Sequence, residues 1–143
     1  MNTYQQLKNE RQEKYNKLFS ELGVFYAFSN EQFSEGKALH PLREGEKYAS
    51  MGMGGYIRNS QLDKLFAGIK VIDDWFSTEN KKIKQDKAEK EKAILYELCN
   101  YECFYSGDIF GGDAWQVLKE QGYTKQEVLS VYKKNYQLRT ASL

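Results

Sequence analysis

The sequence is poor in the residues that most often carry catalysis or covalent cross-links. It holds one histidine, two cysteines and one proline. His40 precedes Pro41, so we expect it to be a surface loop residue, and a Ser-His or Cys-His catalytic pair has little support. Cys99 and Cys103 provide too few ligands for a zinc site and lack ready disulfide geometry, so we expect free thiols in a reducing compartment.

Long apolar runs and a net charge of either sign are also missing. No apolar run approaches the roughly 20 residues that span a bilayer, and the N-terminus is too polar for a signal peptide. The chain has 21 basic and 20 acidic residues, a formal net charge of +1. No global field therefore draws it to nucleic acid or to an anionic membrane. We expect a soluble cytoplasmic protein.

Aromatic residues, in contrast, are abundant. They make up 15% of the 143 residues, and 11 of them are tyrosines. A chain of this length can bury a core of its own, and the sequence shows neither a linker nor an internal repeat. We therefore predict one domain over residues 1–143, and the tyrosine content suits a surface that recognises another protein.

Apolar spacing predicts a mainly helical α+β domain. The stripe of the first helix is interrupted by Arg11, which predicts a loosely packed helical arm over residues 1–14, and residues 137–143 are predicted to fray. VFYAF (24–28), EKYASM and GYIR read as short strands, predicting a small antiparallel sheet of two or three strands. Whether residues 61–103 form one helix or two stays open.

Several helix starts are marked by capping signals. Ser29 and Gln32 have the spacing of a capping box, with Phe28 and Phe33 placed to pack together as a hydrophobic staple. Thr124 and Glu127 repeat that box, with Tyr123 and Val128 as the staple. Ser60 is the predicted cap of the long helix that follows the strands.

Three glycines lie within the segment SMGMGGYIR (50–58). A phosphate-binding loop requires a lysine after its last glycine, and a dinucleotide fingerprint requires a third spaced glycine and a helix directly after it. Here Tyr56 follows the glycines, and the next helix is predicted to start only near Ser60. The segment therefore predicts a turn between strands. Its rim and a tyrosine-rich turn are the predicted partner-binding sites: Met51, Met53, Tyr56, Arg58, Tyr101 and Tyr105.

A carboxylate is predicted on the apolar face of a helix. Glu102 follows Leu95 and Leu98 at helical spacing, and a buried charge needs a partner. We predict a structural polar tie between Glu102 and Arg58, with Arg43 or a tyrosine hydroxyl as alternative partners. An alternative is that Glu97, Glu102 and Asp108 collect a divalent cation in a small metal-dependent hydrolase or nucleotide-binding protein. The spacing of the three does not require a metal, and we predict no cofactor and no metal ligands.

A lysine-rich segment follows the predicted core helix. Lys81, Lys82 and Lys84 belong to NKKIKQDKAEKEK, in which acids alternate with the lysines. A solvated helical connector is the simpler interpretation. Contact of these three lysines with a nucleic-acid backbone is the alternative.

Two motifs resemble a known family. FYAFSNEQF (25–33) matches F-x-F-S-x-x-Q-F except that Tyr26 stands at its first aromatic position, and ELCNYE (97–102) matches E-L-x-N-x-E. Together with MGGYIR and GYTKQEV, these segments resemble small proteins of uncharacterised function from phages and other mobile elements of gut and oral bacteria. Relatives often carry histidine where Tyr101 stands, which weakens a catalytic or metal role for the second motif.

The resemblance implies a mobile-element origin and no established activity. Small phage proteins are often inhibitors of host defence, so the resemblance implies an anti-CRISPR or similar inhibitor that binds a host defence nuclease or Cas effector. A non-enzymatic binding protein also fits the lack of a catalytic set. The metal-dependent hydrolase and a nucleic-acid-binding accessory protein are the alternatives, and a homodimer stays open.

Overall fold

The computed structural model describes residues 2–141, with side chains for residues 2–136. In this part, seven α-helices accompany one three-stranded antiparallel sheet, which confirms the predicted mainly helical α+β fold. The elements in chain order are α1 (Thr3–Glu21), β1 (Phe25–Tyr26), α2 (Asn30–Leu39), β2 (Tyr48–Gly52), β3 (Gly55–Arg58), a 3₁₀ turn (Asn59–Gln61), α3 (Leu62–Gln85), α4 (Lys87–Asn100), α5 (Cys103–Ser106), α6 (Asp113–Glu120) and α7 (Lys125–Ala141).

The chain divides into two compact units. The terminal unit comprises the described parts of Met1–Lys8 and Ser77–Leu143, and the sheet unit comprises Asn9–Phe76. Both boundaries fall inside helices, since α1 and α3 each contribute residues to both units. That the whole chain acts as one domain stays a prediction.

The terminal unit is a cluster of helices around an apolar core. Asp86 separates α3 from α4: its side chain accepts a hydrogen bond from the Glu89 N–H at 3.1 Å. Residues 61–103 therefore hold two long helices. The predicted capping box of α7 is confirmed, because Thr124 Oγ1 accepts from the Glu127 N–H while Glu127 Oε1 accepts from the Thr124 N–H. The core comprises Ile94, Leu98, Cys103, Ile109, Ala114, Leu118, Tyr123, Val128 and Val131.

The sheet unit holds the three strands in the order β1-β3-β2. β1 pairs with β3 through Phe25 opposite Tyr56, and β2 pairs with β3 as a hairpin. Phe25 is the centre of an aromatic cluster, with the rings of Phe33, His40, Tyr48 and Tyr56 between 5.5 and 6.0 Å from its own. α2 can pack directly against the Phe25 ring because residue 36 is a glycine. A Cβ atom at this position would overlap the ring. The strands thus form the predicted small sheet.

The predicted capping box of α2 is present, but the predicted hydrophobic staple is not. The Gln32 N–H donates to Ser29 Oγ at 3.2 Å, and the Phe28 N–H donates to Gln32 Oε1 at 2.7 Å, which confirms the capping box. Phe28 is not buried against Phe33 as the staple predicted. His40 ends α2 and stacks on Phe25 with ring planes 4° apart, so it is half-buried and is not a free loop residue.

Two further predictions about the helices are wrong. The described residues of the predicted arm 1–14 are helical and its first turns are packed, because Tyr4 and Leu7 are buried. Ser60 does not cap α3: it lies in the 3₁₀ turn, where its hydroxyl bonds Glu46. Fraying over residues 137–143 stays a prediction, since the backbone of α7 is described as helical to Ala141 and residues 142–143 lie outside the described part.

Candidate interaction surface

The glycine segment forms a tight hairpin turn. β2 ends at Gly52 and β3 begins at Gly55, which leaves Met53 and Gly54 as the two turn residues. Their φ angles are +51° and +80°, the pattern of a type I′ turn, in which Asn-Gly is the preferred pair. The predicted turn is confirmed. A methionine in this left-handed conformation is unusual, since bulky side chains disfavour positive φ.

Met53 is the most exposed large apolar side chain of the sheet unit, with 93% of its surface in solvent. Two aromatic residues from the β1 segment lie beside the same turn. The Phe28 ring covers Gly54 so closely that a Cβ atom there would overlap it, and Tyr26 lies 3.3 Å from the Cβ position of Gly55. A backbone hydrogen bond of 2.8 Å from the Ala27 N–H to the Gly54 carbonyl joins the two segments.

We call Tyr26, Phe28 and Met53 the turn patch. Phe28 is 77% exposed and Tyr26 54% exposed, so all three present apolar surface to solvent. Their backbone positions are fixed by strand pairing and by the α2 cap. Exposed apolar side chains grouped around one turn on a rigid frame are the chemistry expected of a site that binds another protein.

The predicted partner-binding residues belong to both units and differ in their exposure. Of these residues, only Met53 lies in the turn with its side chain exposed to solvent. Met51 is half-buried, and Tyr56 is held in the aromatic cluster, 4.8 Å from the Phe33 ring. Tyr101 and Tyr105 are both exposed, but they belong to the terminal unit.

Arg58 faces a carboxylate, as expected, but the carboxylate is Glu46. Their closest atoms are 3.9 Å apart, and both side chains are largely covered. The hydrogen bond from the Ser60 hydroxyl is the main cause that lowers the pKa of Glu46, and Arg58 contributes less. The predicted tie between Arg58 and Glu102 is wrong. Glu102 is exposed, because α4 ends at Asn100 and Glu102 itself adopts a left-handed φ of +56°.

The carboxylate that is buried in the terminal unit is Glu97, with 0% of its surface exposed. The Tyr4 hydroxyl donates to Glu97 Oε2 at 2.6 Å, and Lys8 Nζ lies 2.8 Å from the same oxygen and 3.1 Å from Oε1. Lys8 is also 5.4 Å from the centre of the Tyr96 ring. Glu97 is therefore satisfied by the first turns of α1, which explains why that segment is buried.

The network continues beyond Tyr4. Gln121 Nε2 donates to the Tyr4 hydroxyl at 2.8 Å, and Asn80 Nδ2 donates to Gln121 Oε1 at 3.0 Å. Lys84 Nζ donates to the Gln121 carbonyl at 2.7 Å and lies 5.0 Å from the centre of the Tyr123 ring. The Tyr123 hydroxyl is buried without a hydrogen-bond partner among the described residues, and burial raises its pKa to about 12. The network is structural, since its contacts join α1 to α4 and join α1 and α3 to the turn between α6 and α7.

The structure does not bring the proposed metal ligands together. Glu97 is buried, Glu102 and Asp108 are exposed, and Asp108 Oδ1 accepts from the Gly111 N–H at 2.8 Å. Within residues 2–141 no group of three or more histidine, cysteine or acidic side chains could hold a metal ion. Glu97, Glu102 and Asp108 therefore do not form a shared metal site in the described part of the chain. Both cysteines are free thiols, and burial is the main cause that raises the pKa of Cys103.

The three candidate nucleic-acid contacts have different surroundings. Lys82 pairs with Glu79 at 3.1 Å on the exposed side of α3, and Lys81 is exposed. Lys84 is held by Gln121, as described above. The described helices also include none that is long and apolar enough to span a membrane.

The sequence model of DUF7659, a family of unknown function, matches residues 4–139. The chain belongs to this family. No curated protein and no solved structure matches it. Because the function of the family is unknown, membership assigns no activity, and a function has to be argued from the side chains described above.

Sequence reasoning missed two of the three turn-patch residues and the residues that hold Glu97. Tyr26 and Phe28 were assigned to a strand and a staple, although the alternation of VFYAF places every second side chain on the opposite face of the sheet. That alternation was the available signal. No local signal links Tyr4 to Glu97, which lies 93 residues away.

Proposed function

We propose that the chain is a non-enzymatic protein that binds a partner protein through the turn patch. The observation that carries the proposal is Met53, 93% exposed in a turn conformation that disfavours its side chain, next in sequence to Gly54, on which the exposed Phe28 ring packs. A solvent-exposed apolar side chain in an unfavourable backbone conformation gains nothing for folding, so a role in binding accounts for it.

The chemistry of the turn patch indicates the partner surface. Tyr26, Phe28 and Met53 carry no charge, and methionine adapts to irregular apolar surfaces. Aromatic anchors beside a flexible thioether fit a shallow apolar depression on a folded protein.

We further propose that the partner is a bacterial defence nuclease, with a CRISPR effector first to be tested. The two motifs that resemble phage and mobile-element proteins support this choice, and they also support a location in the cytoplasm of a bacterial host. An inhibitor of this kind acts by occupying the effector and needs no catalytic residues. It therefore agrees with the dispersed Glu97, Glu102 and Asp108.

The test measures DNA cleavage by purified CRISPR effectors and other defence nucleases, with and without the protein, together with co-elution on gel filtration. Inhibition of one nuclease with formation of a stable complex is the expected result. Met53→Asn and Phe28→Ser should each weaken inhibition at least tenfold, since each removes apolar contact area.

Leu39→Ser is the matched control. Leu39 is a comparably exposed apolar residue of the same unit, outside the turn patch, so inhibition should stay within about twofold of the unmodified protein. Equal losses in all three variants would reject the turn patch as the binding site. The absence of binding and inhibition across the panel would reject the defence-nuclease assignment.

A further inference from the structure

A second surface of the sheet unit is an apolar groove along α1 and α3. The groove has a volume of about 380 Å³. Leu18 and the buried Ile72 form its floor, and Val71, 69% exposed, and Trp75 form one wall. The opposite wall comes from α1 and carries Lys14, Lys17 and Glu21. We call these residues the α1/α3 groove.

The two helices lie close enough to form the groove because of Gly68. A Cβ atom at this position would be 2.6 Å from Leu18 Cδ1. Further along the pair, Arg11 lies 3.8 Å from the centre of the Phe76 ring, and Tyr15 bonds Asp73. Residues early in α1 therefore face residues late in α3, so the helices run antiparallel and the groove follows both axes.

The charged lining of the groove consists of two cations, Lys14 and Lys17, and one carboxylate, Glu21, a formal charge of 2 − 1 = +1. Lys14 lies 4.6 Å from the centre of the Trp75 ring and has no ion pair with a carboxylate among the described residues. Lys17 is 4.0 Å from Glu21, and both side chains are mostly in solvent, so this pair contributes little. On α3 the neighbouring Asp74 is paired with Lys70 at 2.8 Å. The groove thus combines an apolar floor with two cations one helical turn apart.

We propose that the α1/α3 groove binds an acidic amphipathic helix of a partner protein. Its apolar stripe would cover Leu18, Ile72 and Val71, and carboxylates one turn apart would pair with Lys14 and Lys17. A helix fits because two antiparallel helices present a groove that a third helix fills in ordinary bundle packing. This inference is independent of the turn patch and goes beyond the proposed function.

The experiment uses Trp75 as the reporter. The chain has two tryptophans, so Trp115→Phe leaves Trp75 alone, and circular dichroism checks that the variant is folded. The probe is a synthetic amphipathic helical peptide of about 18 residues with leucines on one face and glutamates beside them. Its twin has lysine at every glutamate position. We expect saturable change in Trp75 emission with the acidic peptide and at least tenfold weaker binding of the basic twin.

Charge reversal in the groove should invert this preference. Lys14→Glu with Lys17→Glu should weaken the acidic peptide at least tenfold and strengthen the basic twin. Lys64→Glu, on an exposed site of α3 outside the groove, should change either affinity less than twofold. Met53→Asn should also leave peptide binding unchanged, so failure of this inference and failure of the proposed function can be told apart.

Three outcomes would overturn the proposal. Equal binding of both peptides, or binding of neither, would contradict the proposal that the groove selects an acidic helix by charge. A saturable change in Trp75 emission with dodecanoate, together with no change with the acidic peptide, would assign the groove to small apolar carboxylates. If the chain dimerises in sedimentation experiments and Val71→Asp abolishes the dimer, the groove would be assigned to a second copy of the chain.

Discussion

Each unit of the molecule contains one group of side chains in an energetically unfavourable environment, and the two groups differ in kind. The terminal unit buries a carboxylate, Glu97, and satisfies it with Tyr4 and Lys8. The sheet unit leaves Tyr26, Phe28 and Met53 exposed around a turn. Burying a charge costs free energy unless it is paired, and exposing apolar surface forgoes burial energy.

The difference distinguishes a feature expected to stabilise the fold from a feature that we propose binds a partner. The paired Glu97 fixes which helices contact each other, and its removal is expected to change stability. The turn patch contributes little to the fold, and its removal is expected to change binding. The following variants test this division, from the largest expected change in stability to the smallest.

Lys8→Met is expected to have the largest effect. It keeps the apolar stem of the side chain but leaves the buried Glu97 carboxylate without its cation, which costs about 3 kcal/mol in the free energy of unfolding. Chemical denaturation measures the loss. Combining it with Glu97→Gln should recover most of the stability, because the amide oxygen can still accept from Tyr4.

Lys17→Met is the control for this comparison. Its pair with Glu21 is exposed, so the expected change is within about 0.5 kcal/mol. A similar small change for Lys8→Met would contradict the view that the Glu97 network stabilises the terminal unit.

Gly36→Ala tests whether the sheet unit has an equally constrained interior. The new methyl group would overlap the Phe25 ring, so we expect a loss of about 1–3 kcal/mol, although alanine favours helix. Ser34→Ala, on the exposed side of α2, should change stability by less than about 0.5 kcal/mol. Unfolding curves of equal stability for Gly36→Ala and the unmodified chain would show that the aromatic cluster can shift.

Tyr123→Phe should stabilise the terminal unit by about 1 kcal/mol at neutral pH, because it removes a buried hydroxyl without a described partner. The effect should grow at alkaline pH. Burial raises the pKa of Tyr123 from 10.0 to about 12, so the unfolded chain loses this proton first and stability falls as pH rises from 10 to 12. Tyr123→Phe removes that contribution.

Tyr15→Phe provides the matched contrast. Burial and the hydrogen bond to Asp73 raise the pKa of Tyr15 to about 12 as well, so this variant should also flatten the alkaline loss. At neutral pH it should destabilise, since it removes a hydrogen bond that is made. Thermal melts at pH 7, 10 and about 11 separate the two cases; the same sign for both variants at pH 7 would contradict the assignment of Tyr123.

Met53→Asn is expected to change stability least, with a gain of about 0.5–1 kcal/mol. Asparagine tolerates positive φ and is the preferred first residue of a type I′ turn. A loss of stability in thermal melts would show that Met53 contributes to the fold, and the turn patch would then lose its main support. Gly45→Asn, also at positive φ but outside the turn patch, tests whether the gain is specific to replacing methionine.

The parts of the fold predicted from the sequence are those set by neighbouring residues. The Ser29 and Thr124 capping boxes, the hairpin turn and the three strands each depend on fewer than about ten consecutive residues. Those signals are the same in any fold. The prediction for residues 1–14 failed because the burial of Tyr4 depends on Glu97, which no local pattern connects to it.

The carboxylate prediction failed for a related reason. A buried acid was expected on the face of Leu95 and Leu98, and the structure has one, but the helical register was extended past Asn100 to Glu102. Glu97 lies three residues before Asn100, the last residue of α4, and takes the buried position. The exposure of Met53 could be predicted from its position in the turn. The exposure of Phe28 could not, because it depends on how closely the Phe28 ring lies over Gly54.

The left-handed conformation of Met53 has a consequence for how this position would evolve. A library selected only for heat resistance should exchange the methionine for asparagine or glycine, since both relieve the backbone. Selection for capture of the partner should retain it. The residue that a population fixes at this position thus records which pressure has acted on it, and deep sequencing of the two selections would show the divergence directly.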